Sequence, residues 1–237
     1  MTVKIIVTGC CGRMGRAIVN AIERTDGVTL AGGTEREGSP FVGIDVGEAT
    51  GVGRKGFAIA SRLADIIDTA DVVIDFSVPA ASLEHFLLAA ERGKGLVVGT
   101  TGFDPEHWKT FESMATAGRT VIAPNMSVGV NVLFKLARDA AKLLSDYDVE
   151  IVEMHHNQKM DAPSGTAVKL ADVVADALGR KMVEVGKYGR YGVEGKRPRN
   201  EIGVMTLRGG DVVGDHTLIF AGTGERVELS HKAGSRD

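Results

Sequence analysis

Cysteine is nearly missing from this 237-residue sequence: Cys10 and Cys11 are the whole complement, and they are adjacent. Two neighbouring thiols in one loop build neither a disulfide framework nor a cysteine zinc site, which points to a reducing, cytoplasmic setting. Excess positive charge is missing too. With a formal net charge of −3, there is no general attraction to nucleic acid or to an anionic membrane surface. No apolar run approaches the ~20 residues of a membrane-spanning helix. The opening MTVKIIVTG has none of the basic region, long apolar region and cleavage site of a signal peptide. Repeats and low-complexity tracts are absent. What remains is ordinary for a soluble globular protein, 43% hydrophobic and 25% charged, and long enough for one large or two medium domains. Glycine is abundant and uneven: Gly43, Gly47, Gly51, Gly53 and Gly56 crowd one segment, which reads as an ordered or mobile loop.

Through the first half, β-branched apolar runs alternate with helical spacing. VKIIVTG (3–9), VTLAGGTE (28–35), DVVIDFS (71–77), LVVGTTG (96–102) and RTVIAPN (119–125) read as strands of the buried, parallel type. RMGRAIVNAIER, PAASLEHFLLAAERG and DPEHWKTFESMATAG (104–118) read as helices. The alternation predicts an α/β domain, a Rossmann-type doubly wound parallel sheet. Its first turn, GCCGRMG, places Gly9, Gly12 and Gly15 in a G-x-x-G-x-x-G variant of the dinucleotide fingerprint. Glu35 stands 20 residues beyond Gly15, at the end of the second strand, where an acid holds ribose hydroxyls. Arg36 follows and suits a 2′-phosphate instead. Three more segments end where such sheets bind ligands: DFSVP (75–79), GTTGF (99–103) and APNMS (123–127).

The second half has a different pattern. SVGVNVLFKLARDAAKLLSD (127–146) is helical, VEIVEM (149–154) is a strand, and AVKLADVVADALG is a helix with Ser164 as N-cap and Gly179 as stop. EIGVMTLR (201–208), DVVGDHTLIFAG (211–222) and ERVELSHKA (225–233) follow, separated by Gly209-Gly210 and Thr223-Gly224, so consecutive hairpins are expected. With VEIVEM they make a C-terminal α+β domain with an open sheet of about four strands.

Between that strand and helix lies HHNQKMDAPSGTA (155–167). A lone histidine is ordinarily structural, a lysine a solvated charge, and Asp161-Ala-Pro a simple turn. Here imidazole, ammonium and a helix N-terminus converge within thirteen positions. Together they suit binding of a carboxylate and donation of a proton. His155 and His156, adjacent on a strand end, point to opposite sides and do not share one metal ion. His216 and His231 keep a metal site conceivable, but none is expected.

EIVEMHHNQKMDAPSGTA (150–167) resembles the signature of the bacterial dihydrodipicolinate reductase family, the 4-hydroxy-tetrahydrodipicolinate reductases of the diaminopimelate–lysine pathway. GCCGRMG, GTTGF, NMSVGVNV (125–132) and GDHTLIFAGTGERVELSHKAGSR extend the resemblance over essentially the whole chain. It implies NAD(P)H-dependent reduction of a cyclic, unsaturated dicarboxylate to tetrahydrodipicolinate, with NADH or NADPH as cofactor. By resemblance, His155 is the general acid and Lys159 the catalytic lysine, while His156, Gly165 and Thr166 form the substrate carboxylate site. Gly9, Cys10, Cys11, Gly12, Arg13, Met14, Glu35, Arg36, Gly99, Thr100, Thr101, Ala123, Pro124, Asn125 and Met126 match cofactor contacts. Residues 1–126 are then the dinucleotide-binding domain, and 127–237 bind substrate and build a homotetramer. Pro124 and Met126 stand where members often carry alanine and phenylalanine, so stacking near the nicotinamide would differ. Members also continue into a further helix and tail, so the resemblance implies that the sequence is either shortened or incomplete. Two other readings are a different two-domain reductase, argued against by the histidine–lysine–PSGT cluster, and a non-enzymatic nucleotide-sensing regulator, for which no basic patch or DNA-binding helix pair stands out.

Overall fold

The computed structural model describes residues 1–114 and 119–235. The chain divides into two compact units, Met1–Pro124 and a second that begins at Asn125.

In the first unit β1 (Val3–Thr8), β2 (Val28–Thr34), β3 (Val72–Asp75), β4 (Gly95–Val98) and β5 (Arg119–Ile122) pair in parallel, in the order β2-β1-β3-β4-β5. Successive residues Ile5, Ile6 and Val7 of β1 are all buried, as a strand covered on both faces requires. Ile6 joins Val73, Phe86 and Leu96 in one core, whereas Ile5 and Val7 join Val19 and Ile22 in another. The crossovers are α1 (Arg13–Glu23), the short α2 (Val46–Thr50), α3 (Pro79–Glu91) and α4 (Pro105–Ser113). Pro79 and Pro105 occupy first turns, where the missing N–H has no intrahelical acceptor to lose. Asp104 caps α4 by accepting from His107 N–H at 2.9 Å. The expected helix over 104–118 is described as far as its end at Ser113, and 115–118 lie outside the described residues.

The glycine-rich segment is ordered around one carboxylate. Asp45 accepts backbone N–H groups from Gly47, Glu48, Lys55 and Gly56. A Cβ on Gly47 would come 1.8 Å from Gly53 O, so the close approach there requires glycine.

The second unit carries α5 (Val128–Leu143), β6 (Asp148–His155), α6 (Gly165–Ala177), α7 (Met182–Val185), β7 (Gly186–Tyr188), β8 (Ile202–Arg208), β9 (Gly214–Ala221) and β10 (Arg226–Ala233). Along β6, Val149, Ile151, Glu153 and His155 are buried, while the residues between them are only partly covered. Val149 and Ile151 pack with Leu133 of α5, Leu170 of α6, Ile202, Leu218 and Phe220. One face of the sheet thus supplies this core, as the period of two dictates.

The sheet differs from expectation in two respects. Its order is β10-β9-β6-β8-β7, five strands among the described residues, the extra one being the three-residue edge β7. Moreover, 201–208 and 211–222 do not form a hairpin. β6 lies between them, parallel to β8 and antiparallel to β9, and only β9 and β10 make the expected hairpin. Hydrophobic alternation marks a strand but not its neighbour, so a Gly-Gly turn reads as a hairpin even where the chain crosses a third strand. Residues 209–213 make that crossing and bond to the end of β6: Gly209 N–H donates to His155 O, His156 N–H to Val212 O, and Asn157 N–H to Gly210 O. The crossing therefore fixes the backbone that carries both histidines. Among the described residues, no helix is long and apolar enough to cross a membrane.

The sequence has one tryptophan, Trp108, packed edge-on against Phe103 and Phe111 in the first unit. Phe86, 2% exposed, meets Phe111 edge-on at 4.9 Å. Phe86→Ala is expected to destabilise the first unit by about 3–5 kcal/mol, read as a lower urea midpoint in Trp108 fluorescence. An unchanged midpoint would contradict the packing.

Candidate active site

The turn after β1 is built by its glycines. Gly9 adopts φ +60°, which a residue without Cβ reaches freely. A Cβ on Gly15 would come 2.2 Å from Gly9 O and 2.7 Å from Cys10 Cα, so α1 packs directly on the turn. Gly12 caps α1 without a side-chain hydrogen bond, which leaves first-turn N–H groups for an anion. Arg13 and Met14 open that helix. Cys11 N–H donates to Glu35 Oε1 at 2.8 Å, and Arg16 Nε donates to Cys11 O at 2.9 Å. The acid at the end of β2 is thus tied to the glycine turn. Gly9, Glu35, Arg36, Arg62, Ser77 and His85 border a cavity of about 490 Å³. It lies where the strand order turns back between β1 and β3, the place such sheets bind ligands, and the cradle fits a dinucleotide.

Several other expected contact residues are engaged elsewhere. Cys10 is fully buried in the core, its Sγ close enough to Gly33 that a Cβ there would come within 2.8 Å. A Cβ on Gly99 would lie 2.1 Å from the Phe76 ring. Thr100 is buried and accepts from Ser82 Oγ at 2.8 Å, while Thr101 is exposed. Ala123 and Pro124 close the first unit; Asn125 and Met126 open the second. Asn125 Nδ2 donates to Thr166 Oγ1 at 3.0 Å, and Asn125 Oδ1 accepts from Ser127 N–H at 2.9 Å. A residue expected with the cofactor therefore braces a residue expected with the substrate.

Asp75 and His85 are not among the contact residues expected from the sequence. Asp75, fully buried at the end of β3, accepts from Ser77 N–H at 2.8 Å and lies 2.7 Å from His85 Nδ1. Burial opposes its ionisation, yet the bonds from His85 and Ser77 outweigh that and hold the carboxyl below its ordinary range. The available signal was an acid closing an apolar strand, which needs a partner when buried. Cys10 Sγ, Cys11 Sγ and a Glu35 oxygen lie within 4.8 Å of one another. Burial pushes both thiols up, and Glu35 already accepts the Cys11 N–H, so this set suits a metal ion poorly.

In the second unit His155, 8% exposed, closes β6. Its Nδ1 lies 2.6 Å from Oε2 of Glu153, itself fully buried. Glu153 also accepts from Ser164 N–H at 3.0 Å, Thr206 Oγ1 at 3.2 Å, and both terminal nitrogens of Arg208 at 2.9 and 3.1 Å. Burial raises the Glu153 carboxyl, but Arg208 first, then His155 and Ser164 N–H, hold it below the ordinary carboxylate range. Arg208 reaches on to Asp161 O at 2.6 Å, and the Asp161 carboxylate pairs with Lys159 Nζ at 2.8 and 2.9 Å. His156, partly exposed, accepts from Gln158 N–H through Nδ1 at 3.2 Å. Ser164 caps α6 by accepting from Ala167 N–H at 3.1 Å. Gly165 and Thr166 form the first turn, whose N–H groups have no intrahelical acceptor. The unit thus gathers His155, His156, Lys159, Gly165 and Thr166 around one stretch, and adds Glu153, Arg208 and His216, none of which the sequence pattern marks for this chemistry.

His216, 4% exposed, sits 3.0 Å from Ser164 Oγ through Nε2, its ring edge-on to His155 at 5.2 Å. Burial, then the neighbouring His155, pushes its pKa down from 6.5 to about 4. The unfolded chain takes up a proton near pH 6.5 that folded His216 refuses until about pH 4. Its contribution is therefore full above the upper value and lost as pH falls toward the lower, on the order of 3 kcal/mol in all. Urea unfolding across this window should show that loss in the native protein and much less of it in His216→Gln; equal slopes would contradict the assignment.

The family model described as dihydrodipicolinate reductase, N-terminus, matches residues 3–126, and that for the C-terminus matches 129–237. A 4-hydroxy-tetrahydrodipicolinate reductase of Syntrophobacter fumaroxidans is 52% identical over 236 residues, 99% of this chain and 88% of the relative. One of Methanothermobacter thermautotrophicus is 49% identical over 241 residues, again 99% and 88%. The solved dipicolinate-bound dihydrodipicolinate reductase of Paenisporosarcina sp. TG-14 aligns with a TM-score of 0.78 at 25% identity, covering 100% of this chain and 89% of that one. Matched in both halves and over nearly its whole length, the chain belongs to the dihydrodipicolinate reductase family.

Proposed function

We propose that this chain catalyses the NAD(P)H-dependent reduction of 4-hydroxy-tetrahydrodipicolinate to tetrahydrodipicolinate, a step of lysine biosynthesis through diaminopimelate, in the cytoplasm. One observation carries this reading: a chain with a dinucleotide turn in one unit gathers an imidazole, an ammonium and the first turn of a helix in the other. The substrate has two carboxylates, which suit Lys159 and His156 together with the first-turn N–H groups at Gly165 and Thr166. Loss of the substrate's 4-hydroxyl as water leaves a ring C=C conjugated with the C=N bond, and the reduced nicotinamide, when bound, would supply hydride to the far carbon of that conjugated system. Negative charge then develops toward the ring nitrogen. His155 donates the balancing proton, and Lys159 stabilises the charge as it forms.

In the first unit, the α1 first turn from Gly12 to Met14 takes the pyrophosphate. Glu35, steadied by Cys11 N–H, takes the ribose hydroxyls. Arg36 and Arg62, both at the cavity, take a 2′-phosphate, so the enzyme uses NADH and NADPH alike. Gly99, Thr101 and the segment Ala123–Met126 complete the cofactor contacts through backbone groups. A homotetramer assembles on the sheet face of the second unit that bears Val152, Met154 and Ile219, partly exposed and away from its core.

The test is NADH oxidation while a separate synthase condenses aspartate semialdehyde with pyruvate beside the purified protein. Rapid oxidation that needs the synthase is expected. Lys159→Ala should lower kcat roughly a hundredfold or more and leave NADH affinity unchanged; equal losses in both would remove Lys159 from the chemistry. Arg36→Ala should raise the KM for NADPH by roughly ten- to a hundredfold and spare NADH. A parallel loss with both cofactors would put the 2′-phosphate elsewhere.

A further inference from the structure

The fully buried carboxylate of Glu153 is the junction between the proton donor and the anion-binding helix end. Oε2 faces His155 Nδ1 at 2.6 Å, and Oε1 accepts the Ser164 N–H at 3.0 Å, at the N-cap of α6. Arg208 supplies the countercharge through two nitrogens and with the same fork holds Asp161 O. A buried ion pair adds little net stability, because desolvation consumes most of its Coulomb gain. Its lasting effect is geometric. An ionised carboxylate only accepts hydrogen bonds, so the facing His155 Nδ1 must carry the proton. Nε2 is then the atom left for substrate. On that side the ring lies beside Gly214 of β9, where a Cβ would come 3.0 Å from His155 Nε2, so glycine there leaves this nitrogen uncrowded by a side chain. The groups around the His155 ring are Glu153 of β6, His216 of β9 edge-on at 5.2 Å, and, through Glu153, Arg208 of β8 and Ser164 of α6.

We infer that Glu153 is a positioning residue of the reaction: it fixes His155 with Nδ1–H inward and Nε2 outward, and holds the α6 first turn in register with it. This rests on His155 as the proton donor. The donor is the imidazolium: it gives its Nε2 proton to the substrate and becomes the neutral ring, bonded to Glu153 through Nδ1–H before and after the transfer.

A double-mutant cycle tests it, with kcat from synthase-coupled NADH oxidation and NADH affinity from fluorescence. Glu153→Gln should lower kcat roughly a hundredfold without changing NADH affinity. In a His155→Gln background the same change should cost little more, because it acts through a ring no longer present. Equal losses in both backgrounds would overturn the inference and leave Glu153 a structural residue. Wild-type kcat in His155→Gln alone would instead sink the proton-donor assignment. The second measurement needs no Glu153 variant and so holds even if that variant fails to fold: ¹⁵N spectra of the native protein, His155 assigned by loss of its signals in His155→Gln. Neutral His155 should show a protonated Nδ1 and a bare Nε2. A protonated Nε2 with bare Nδ1 would overturn the inference whatever the kinetics show.

Discussion

A carboxylate removed from water must have its oxygens engaged, and much of the second unit is organised around one that does. Glu153 sits on the core face of β6, where its neighbours in the alternation are Ile151 and His155. An unpaired charge there would cost several kcal/mol. The structure meets that demand with donors from three elements: Arg208 and Thr206 of β8, Ser164 N–H ahead of α6, and His155 of β6 itself. Satisfying the carboxylate therefore places the start of α6 and the end of β8 beside the last residue of β6.

The first unit repeats this device on a smaller scale. Asp75, at the end of β3, is buried and engages a histidine Nδ1 and a backbone N–H, as Glu153 does. His85 borders the cavity at the strand ends. In both units a strand delivers an acid to the point where the regular sheet gives way to a turn, and the acid orders the turn by accepting its N–H groups. The glycine turn after β1 works the other way. Its glycines at 9, 12 and 15 omit side chains, so that the turn tightens and α1 packs directly on it.

Much of this was legible in the residues. The parallel strands of the first unit, its glycine turn, and Glu35 at the end of β2 follow from local periodicity and spacing. The stretch 155–167 announced its chemistry because all its groups lie close in sequence. Glu153 escaped notice because it stands at an inward position of VEIVEM, and its partners are up to 55 residues away. Asp75 and His85, ten residues apart on a strand end and a helix, carried no motif either. Arg62 lies in an irregular segment that composition alone does not connect to Glu35 and Arg36.

By itself, then, the sequence determined the strand-helix grammar of the first unit, the two long helices and the four long strands of the second, the family to which they belong, and a cluster of acid–base groups at 155–167. Those properties depend on neighbours in sequence: a period of two or 3.6, a proline in a first turn, a glycine where a Cβ has no room. Only tertiary structure decided that β6 lies between β8 and β9, that residues 209–213 cross its end, and that Glu153 meets Arg208, Ser164 and His155. Strand partners are selected by shared burial and backbone hydrogen bonding between distant segments, and a buried charge chooses its counterions from whatever the fold brings within about 3 Å.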